Sequence, residues 1–273
     1  YYNRVRNMQE AAKTVKNEYN GRLPEDYQTL LSLKGIGSYT AGAISSIAYG
    51  RKVPAVDGNV LRVISRITES TEDISRQSVR RNMEQQLLQI MPSDCPGDFN
   101  QALMELGAVV CVPNGQAKCA ECPVAFICLA RRHDKVDMIP VKTPKKVRTQ
   151  DNRTVFIIQD GECTAIRKRP EKGLLAGLYE LPNIQGHLKR EEALLYVKEL
   201  GLEPLYIEEL PPAKHIFSHI EWRMQAYRIK VSSLKTTQDK ELIFASKEQS
   251  GKQYAIPSAF GAYAKYIKEE TTR

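Results

Sequence analysis

No apolar run in this chain approaches the roughly 20 residues that a helix needs to cross a bilayer. No signal-peptide pattern opens it, so neither a helical membrane anchor nor a secreted disulfide scaffold is expected. The first residues are Tyr1-Tyr2-Asn3-Arg4, with no initiator methionine and no cap-and-loop stretch ahead of the first helical pattern. What is present suits a water-soluble globular protein. The 273 residues are 42% hydrophobic and 26% charged, enough for one large domain or two of ordinary size. The formal charge is +8 and the pI about 9.1, which favours a polyanionic partner but is weak evidence alone.

The stretch from Leu30 to Ile64, LLSLKGIGSYTAGAISSIAYGRKVPAVDGNVLRVI, organises the rest. Leu30, Leu31 and Leu33 close one helix. Gly35 and Gly37 then permit backbone angles that a side chain forbids. Ser38 is placed to cap a second helix, Tyr39 to Ala48, rich in small residues. Outward amides of Gly35, Gly37 and Ser38 make an anion site, and on a basic protein the natural anion is a DNA phosphate, held without reading sequence. A glycine turn at a plain αα-corner has the same pattern. Next, Pro54-Ala55-Val56-Asp57-Gly58-Asn59 sets one carboxylate at the mouth of a helix running Val60 to Ile67. Capping and chemistry are compatible roles for Asp57.

The chain reads as helical to about residue 110. Val5, Met8, Ala12 and Val15 give one face of a helix over residues 3–18, and Leu23-Pro24-Glu25-Asp26 starts the next. Residues 73–91 form a long helix with Ile74, Val79, Met83, Leu87, Leu88 and Met91 on one face, and 99–110 an apolar helix whose Gly107 signals close packing. Then Cys111, Cys119, Cys122 and Cys128 fall as C-x7-C-x2-C-x5-C. Thiols this close bind zinc or an iron–sulfur cluster, and spacing alone does not choose. Cys95 and Cys163 stand apart. Residues 134–153, proline-interrupted and basic, read as an exposed, extended linker. From Thr154 the pattern turns to strands. A hairpin turns at Asp160-Gly161, and a glycine-punctuated strand covers 173–182. A helix runs Arg190 to Leu200, strands recur at 205–208, 213–217 and 221–231, and a last helix covers 258–268. Within this part, His215-Ile216-Phe217-Ser218-His219-Ile220-Glu221-Trp222 is, at its plainest, a hairpin with a polar turn.

LKGIGSYTAGAI followed by VPAVDGNVLRV resembles the helix-hairpin-helix and catalytic-aspartate segment of the endonuclease III superfamily of DNA glycosylases, and within it the MutY-type adenine glycosylases. The resemblance covers essentially the whole chain. It implies a multidomain fold: an all-α helix-hairpin-helix glycosylase domain at 1–133 with an iron–sulfur loop at 111–128, the linker 134–153, and an α+β Nudix-like domain at 154–273. It implies that the Gly35, Gly37 and Ser38 hairpin grips DNA backbone, that Asp57 faces the sugar of a flipped nucleotide, and that Tyr39 packs beside that sugar. It assigns a structural [4Fe-4S] cluster to the four cysteines, with one residue more than the family's usual count between Cys111 and Cys119. Bifunctional relatives carry a sugar-attacking lysine where this chain has Tyr39, and a phenol forms no Schiff base, so lyase chemistry is not expected.

In the Nudix-like part, a hydrolase needs a magnesium-binding glutamate cluster in a REUxEExGU helix. Over Leu194 to Glu199 only Glu199 remains, with Leu195 and Lys198 in place of carboxylates, so this domain is expected to bind rather than hydrolyse. A Phe-Ser-His loop in the family recognises 8-oxoguanine opposite adenine, which gives that role to Phe217, Ser218 and His219. The implied activity is hydrolysis of the N-glycosidic bond of adenine mispaired with 8-oxoguanine or guanine in double-stranded DNA. The expected protein is an intracellular monomer, in the cytoplasm with the bacterial nucleoid or in a eukaryotic nucleus. The family's proton donor, a glutamate in a helix ending Gln-Gln-Thr, has no match, since Glu84-Gln85-Gln86 runs on to Leu87. The chain is therefore expected to lack the domain's first helices and to be inactive alone. A non-catalytic DNA-binding fragment and an endonuclease III-type glycosylase/lyase are the alternatives.

Overall fold

The structure, a computed structural model, describes residues 2–268 apart from 145, 146, 162, 247, 250–252 and 255. It divides into two compact units, Tyr1–Pro144 and Lys145–Arg273.

The described residues of the first unit are helical: α1 Tyr2–Glu18, α2 Tyr27–Ser32, α3 Ser38–Ala43, α4 Gly58–Thr68, α5 Gln77–Ile90, α6 Pro96–Glu105 and α7 Leu129–Arg132. Both α3 and α6 widen at their ends into π turns, Ile44–Ala48 and Leu106–Val110, a distortion that often marks functional sites. The unit is built around α4. Every residue from Val60 to Arg66 is buried, as befits a helix enclosed on all sides, so the two arginines within it must find partners in the interior. On α1 the buried residues are Ala11 and Val15, while Val5 and Met8 are 65% and 64% exposed. The inward stripe is Asn7, Ala11 and Val15, because α1 presses on the glycine turn; a Cβ at Gly35 would lie 2.6 Å from Asn7 Cβ.

The expected linker 134–153 is mostly built into the two units. Arg66 Nε donates to the Ile139 carbonyl at 2.8 Å, Ile74 N–H to the Val141 carbonyl at 3.1 Å, and Thr143 N–H to Asp73 at 3.2 Å. Ile139, 2% exposed, anchors a stretch whose charge suggested solvent. At its other end, Thr149 already begins a strand.

The second unit holds β1 Thr149–Asp160, β2 Cys163–Lys168, β3 Tyr179–Glu180, β4 Asn183–Gln185, α8 Arg190–Glu199, β5 Pro204–Ile216, β6 Ile220–Val231 and β7 Leu242–Ser246. A 3-10 turn, Ser258–Tyr263, leads into a final helix, Ala264–Lys268. The strands form one mixed sheet in the order β3-β2-β1-β6-β5, with β4 on β1 and β7 on β2. β1 and β6 run parallel, from Thr149 opposite Ile220 to Gln159 opposite Lys230. Thr154 to Gln159 are all buried, as expected of a strand covered on both faces. Phe156 and Ile158 pack with Ala193 and Val197 of α8, and Val155 and Ile157 with Phe260 and Tyr263. Of the expected strand at 173–182 only Tyr179–Glu180 is extended; Gly173 and Gly177 have φ of +93° and +61° and turn the chain. The expected strands at 205–208 and 213–217 are one, β5, which absorbs Pro211-Pro212 in a register shift between Leu210 and Ala213 on a sheet edge, where proline costs least.

Candidate functional site

The glycine turn differs in detail from its sequence reading. Gly35 has φ +80° and needs to be glycine, but Gly37 is extended at φ −96° and nothing lies within 4 Å of a Cβ placed there. Gly37, not Ser38, is the N-cap of α3, without a side-chain cap bond, and Ser38 is the first helical residue. The amides at this exposed helix start have no intrahelical partner.

Three other glycines bring α3 and α6 onto the Asp57 loop. A Cβ at Gly42 would meet the Pro54 carbonyl oxygen at 2.2 Å, one at Gly107 would meet Asn59 Cβ at 2.5 Å, and one at Gly97 the Ser46 carbonyl oxygen at 2.9 Å. The loop's backbone is then fixed from two sides. Buried Asn100 accepts from Ala55 N–H at 3.0 Å and donates to Ser46 Oγ at 2.8 Å and the Val53 carbonyl at 2.9 Å, and Arg80 donates to the Val56 carbonyl. Asp57 is half-buried and caps α4. Its Oδ1 accepts from Asn59 and Val60 N–H, both at 2.8 Å, and its Oδ2 from Asn59 Nδ2 at 2.9 Å. Tyr39 is 39% exposed, and its hydroxyl reaches Met104 Sδ at 3.5 Å. Tyr39 and the Asp57 loop thus meet neighbouring positions of α6 and its π turn, Met104 and Gly107.

From Asp57 the contacts continue inward. Arg62 Nη2 donates to Asn59 Oδ1 at 2.9 Å and to the Gly107 carbonyl at 2.7 Å, while its Nε donates to the Cys111 carbonyl at 2.7 Å. Burial pushes the Arg62 guanidinium below its ordinary value. One turn on, Arg66 Nη1 donates to Cys111 Sγ at 3.2 Å. None of Asn59, Arg62, Arg66, Arg80 or Asn100 was singled out from sequence. The available signal was a pair of arginines four apart inside the apolar run VLRVISRI.

Cys111, Cys119, Cys122 and Cys128 line one small cavity, about 30 Å³, with apolar side chains of α4 and of the π turn that follows α6. All four are free thiols, and Cys128 Sγ donates to the Arg66 carbonyl at 3.4 Å. Burial pushes the Cys119 thiol up, and the other three cysteines push it further. Among the described residues, no group of three or more His, Cys, Asp or Glu is set to hold a single metal ion.

Phe217, Ser218 and His219 belong to the second unit and form the turn between β5 and β6. Phe217 N–H donates to the Ile220 carbonyl at 2.8 Å. Ser218 and His219 are exposed and bond to each other at 3.1 Å. Phe217 is half-buried, its ring edge-on to Trp222 at 5.0 Å and to His215 at 4.6 Å, so it packs under the turn.

Residues 154–266 match the family model described as NUDIX domain. The chain is 34% identical over 268 residues to the adenine DNA glycosylase of Arabidopsis thaliana, covering 88% of this chain and 42% of that protein. To the adenine DNA glycosylase of Homo sapiens it is 33% identical over 279 residues, covering 83% and 51%. Among solved structures, a non-covalent endonuclease III–DNA complex aligns at 28% identity over 48% of this chain and 59% of its own, with a TM-score of 0.42. The chain spans about half the length of the curated relatives it matches. The match to the Arabidopsis protein extends over 88% of the residues and so cannot be confined to either unit: the chain is similar to adenine DNA glycosylases along most of its length.

Proposed function

We propose that this chain carries the DNA-gripping hairpin, the sugar-facing carboxylate and the lesion-reading domain of an enzyme that removes adenine paired with 8-oxoguanine or guanine. The observation that carries the reading is the unbroken run of contacts from Asp57 through Asn59 and Arg62 to Cys111. It makes one built site of two motifs far apart in sequence. Adenine cannot be reached inside a duplex and must be flipped out. As its bond to the sugar breaks, positive charge grows on the sugar. Asp57 is already oriented by three donors, which leaves about one of its four acceptor sites open. In a water-poor site such preorganised charge is worth a few kcal/mol. Tyr39 packs beside the same sugar and offers no amine for lyase chemistry. The hairpin of Gly35, Gly37 and Ser38 holds phosphate, and Phe217, Ser218 and His219 read the lesion.

The departing adenine needs a proton. The family's donor lies in a Gln-Gln-Thr stretch that these 273 residues do not contain, so the chain by itself binds damaged duplex without releasing adenine. Cys111, Cys119, Cys122 and Cys128 would hold a [4Fe-4S] cluster. An all-thiolate set lining one cavity suits a cluster. Bound there, the cluster ties the thiolates together and stabilises the fold.

Protein purified without oxygen should contain about four irons per chain and absorb broadly near roughly 400 nm. It should bind an 8-oxoguanine·adenine duplex more tightly than a guanine·adenine one, release no adenine, and form no borohydride-trapped adduct. Stoichiometric zinc without iron would remove the cluster assignment, and single-turnover release of adenine would remove the assignment of the absent donor.

A further inference from the structure

The 217–219 turn rests on a scaffold that the function above does not use. Beneath Phe217 lies Trp222, the chain's sole tryptophan, 1% exposed. Its Nε1 is buried and has no hydrogen-bond partner among the described residues. A buried indole with an unmet N–H is an expensive way to fill space. What it supplies, and a leucine would not, is a flat face and an edge. The face carries Arg153, whose Cζ lies 4.4 Å from the ring centroid, with Arg169 at 5.7 Å. The ring also sits 5.0 Å from Phe217 at an interplanar angle of 73°.

Arg153 is itself fixed. Its Nε and Nη2 both reach Asp151 Oδ2 at 2.9 Å, and its Nη1 donates to Asn183 Oδ1 at 2.6 Å. The backbone of the turn is pinned from the start of β1 and the residue before it: Arg148 Nε donates to the Phe217 carbonyl at 3.2 Å and Thr149 N–H to the His219 carbonyl at 3.0 Å. Ring and backbone are thus both held, while the Ser218 and His219 side chains stay exposed.

We propose that Trp222 and the Arg153 guanidinium stacked on it are positioning residues. They hold Phe217 under the turn so that Ser218 and His219 meet, at a set height, a purine whose N7 carries a hydrogen. This rests on reading the turn as the lesion reader. An arginine replaced by lysine keeps its charge but loses the planar stack and the two-point hold on Asp151. A phenylalanine in place of Trp222 keeps a face and an edge; a leucine keeps neither.

The test is a binding titration of the 273-residue chain and its Trp222→Leu, Trp222→Phe and Arg153→Lys variants against matched duplexes with 8-oxoguanine or guanine opposite adenine, with folding checked by circular dichroism. The wild type should prefer the lesion, and its tryptophan emission should shift on the lesion duplex more than on the undamaged one. Trp222→Leu and Arg153→Lys should shrink the preference by about fivefold or more, the scale of one lost polar contact. Trp222→Phe should keep most of it, and affinity for undamaged duplex should stay within about twofold throughout. If Trp222→Leu does not fold, Arg153→Lys decides. A wild type without preference removes the lesion-reader reading. A wild-type preference that survives in folded Arg153→Lys, or affinities for both duplexes that fall together, removes the positioning role and leaves that reading standing.

Discussion

At the scale of single residues, Asp57 caps a helix and is proposed to face the sugar, two roles that substitutions can separate. Its carboxylate caps α4 through the Asn59 and Val60 amides. Asp57→Asn keeps an acceptor oxygen for both, so its thermal stability should stay within about 1 kcal/mol of wild type, whereas Asp57→Ala should lose roughly 0.5–2 kcal/mol, the usual worth of a cap. In a protein with its proton donor present, both should abolish adenine release, because neither leaves a charge to face the sugar. If Asp57→Asn released adenine normally, Asp57 would be a cap alone. Asn100 is the reverse case, distant from any reacting atom yet holding the loop. Asn100→Ala strands the Ala55 N–H and the Val53 carbonyl and takes one donor from the Ser46 hydroxyl, which keeps its own bond to the Gly42 carbonyl. At about 1–3 kcal/mol for a buried group left unpaired, and with some relaxation, a loss of roughly 3 kcal/mol is expected from urea unfolding.

At the scale of elements, the first unit is assembled through glycines that let helix backbones touch. Gly42 abuts the Pro54 carbonyl and Gly107 abuts Asn59, so α3 and α6 close on the Asp57 loop like two walls. Gly42→Ala forces the loop and α3 apart and should cost about 1–3 kcal/mol, as overpacking does. Gly37→Ala is the control, since Gly37 has an ordinary φ and open space around it. It should leave the melting temperature essentially unchanged. A loss of duplex affinity in that variant, seen equally with damaged and undamaged DNA, would report a phosphate approaching where the methyl now sits. Unchanged affinity would place the backbone grip elsewhere than on the start of α3.

At the scale of the whole molecule, the two units carry separate cores, and Trp222 lies in only one of them, so its emission follows unfolding of the second unit. Burial holds His215 below its ordinary value of 6.5. The folded state therefore binds fewer protons there than the unfolded state does, and this part of the stability is fully present above about pH 6.5 and falls as the pH drops below it. The urea midpoint read by tryptophan emission should be lower at pH 5.5 than at pH 7.5, and His215→Phe should narrow the gap. An unaltered gap would place the acid sensitivity on other groups.

Much of this protein is decided locally and can be read from the chain. The left-handed Gly35, the cap at Asp57, the grouping of four cysteines and the two-sided strand Thr154 to Gln159 depend on neighbours in sequence or on a short spacing. The regular alternation of buried faces in Val155–Ile158 needs no knowledge of which helices cover it. What the tertiary structure alone decided are partnerships across distance. Asn100 finds its three partners only where the π turn after α3 and the loop leading to Asp57 are laid against α6. Arg62 and Arg66 have interior acceptors because α4 is enclosed, and no buried guanidinium can go without them. Ile139 drew a charged stretch onto the first unit, and Trp222 drew Phe217 beneath the turn. Sequence spacing sets what a residue's neighbours are along an element. What lies across from it depends on which elements pack together, and that is settled only when the interior closes.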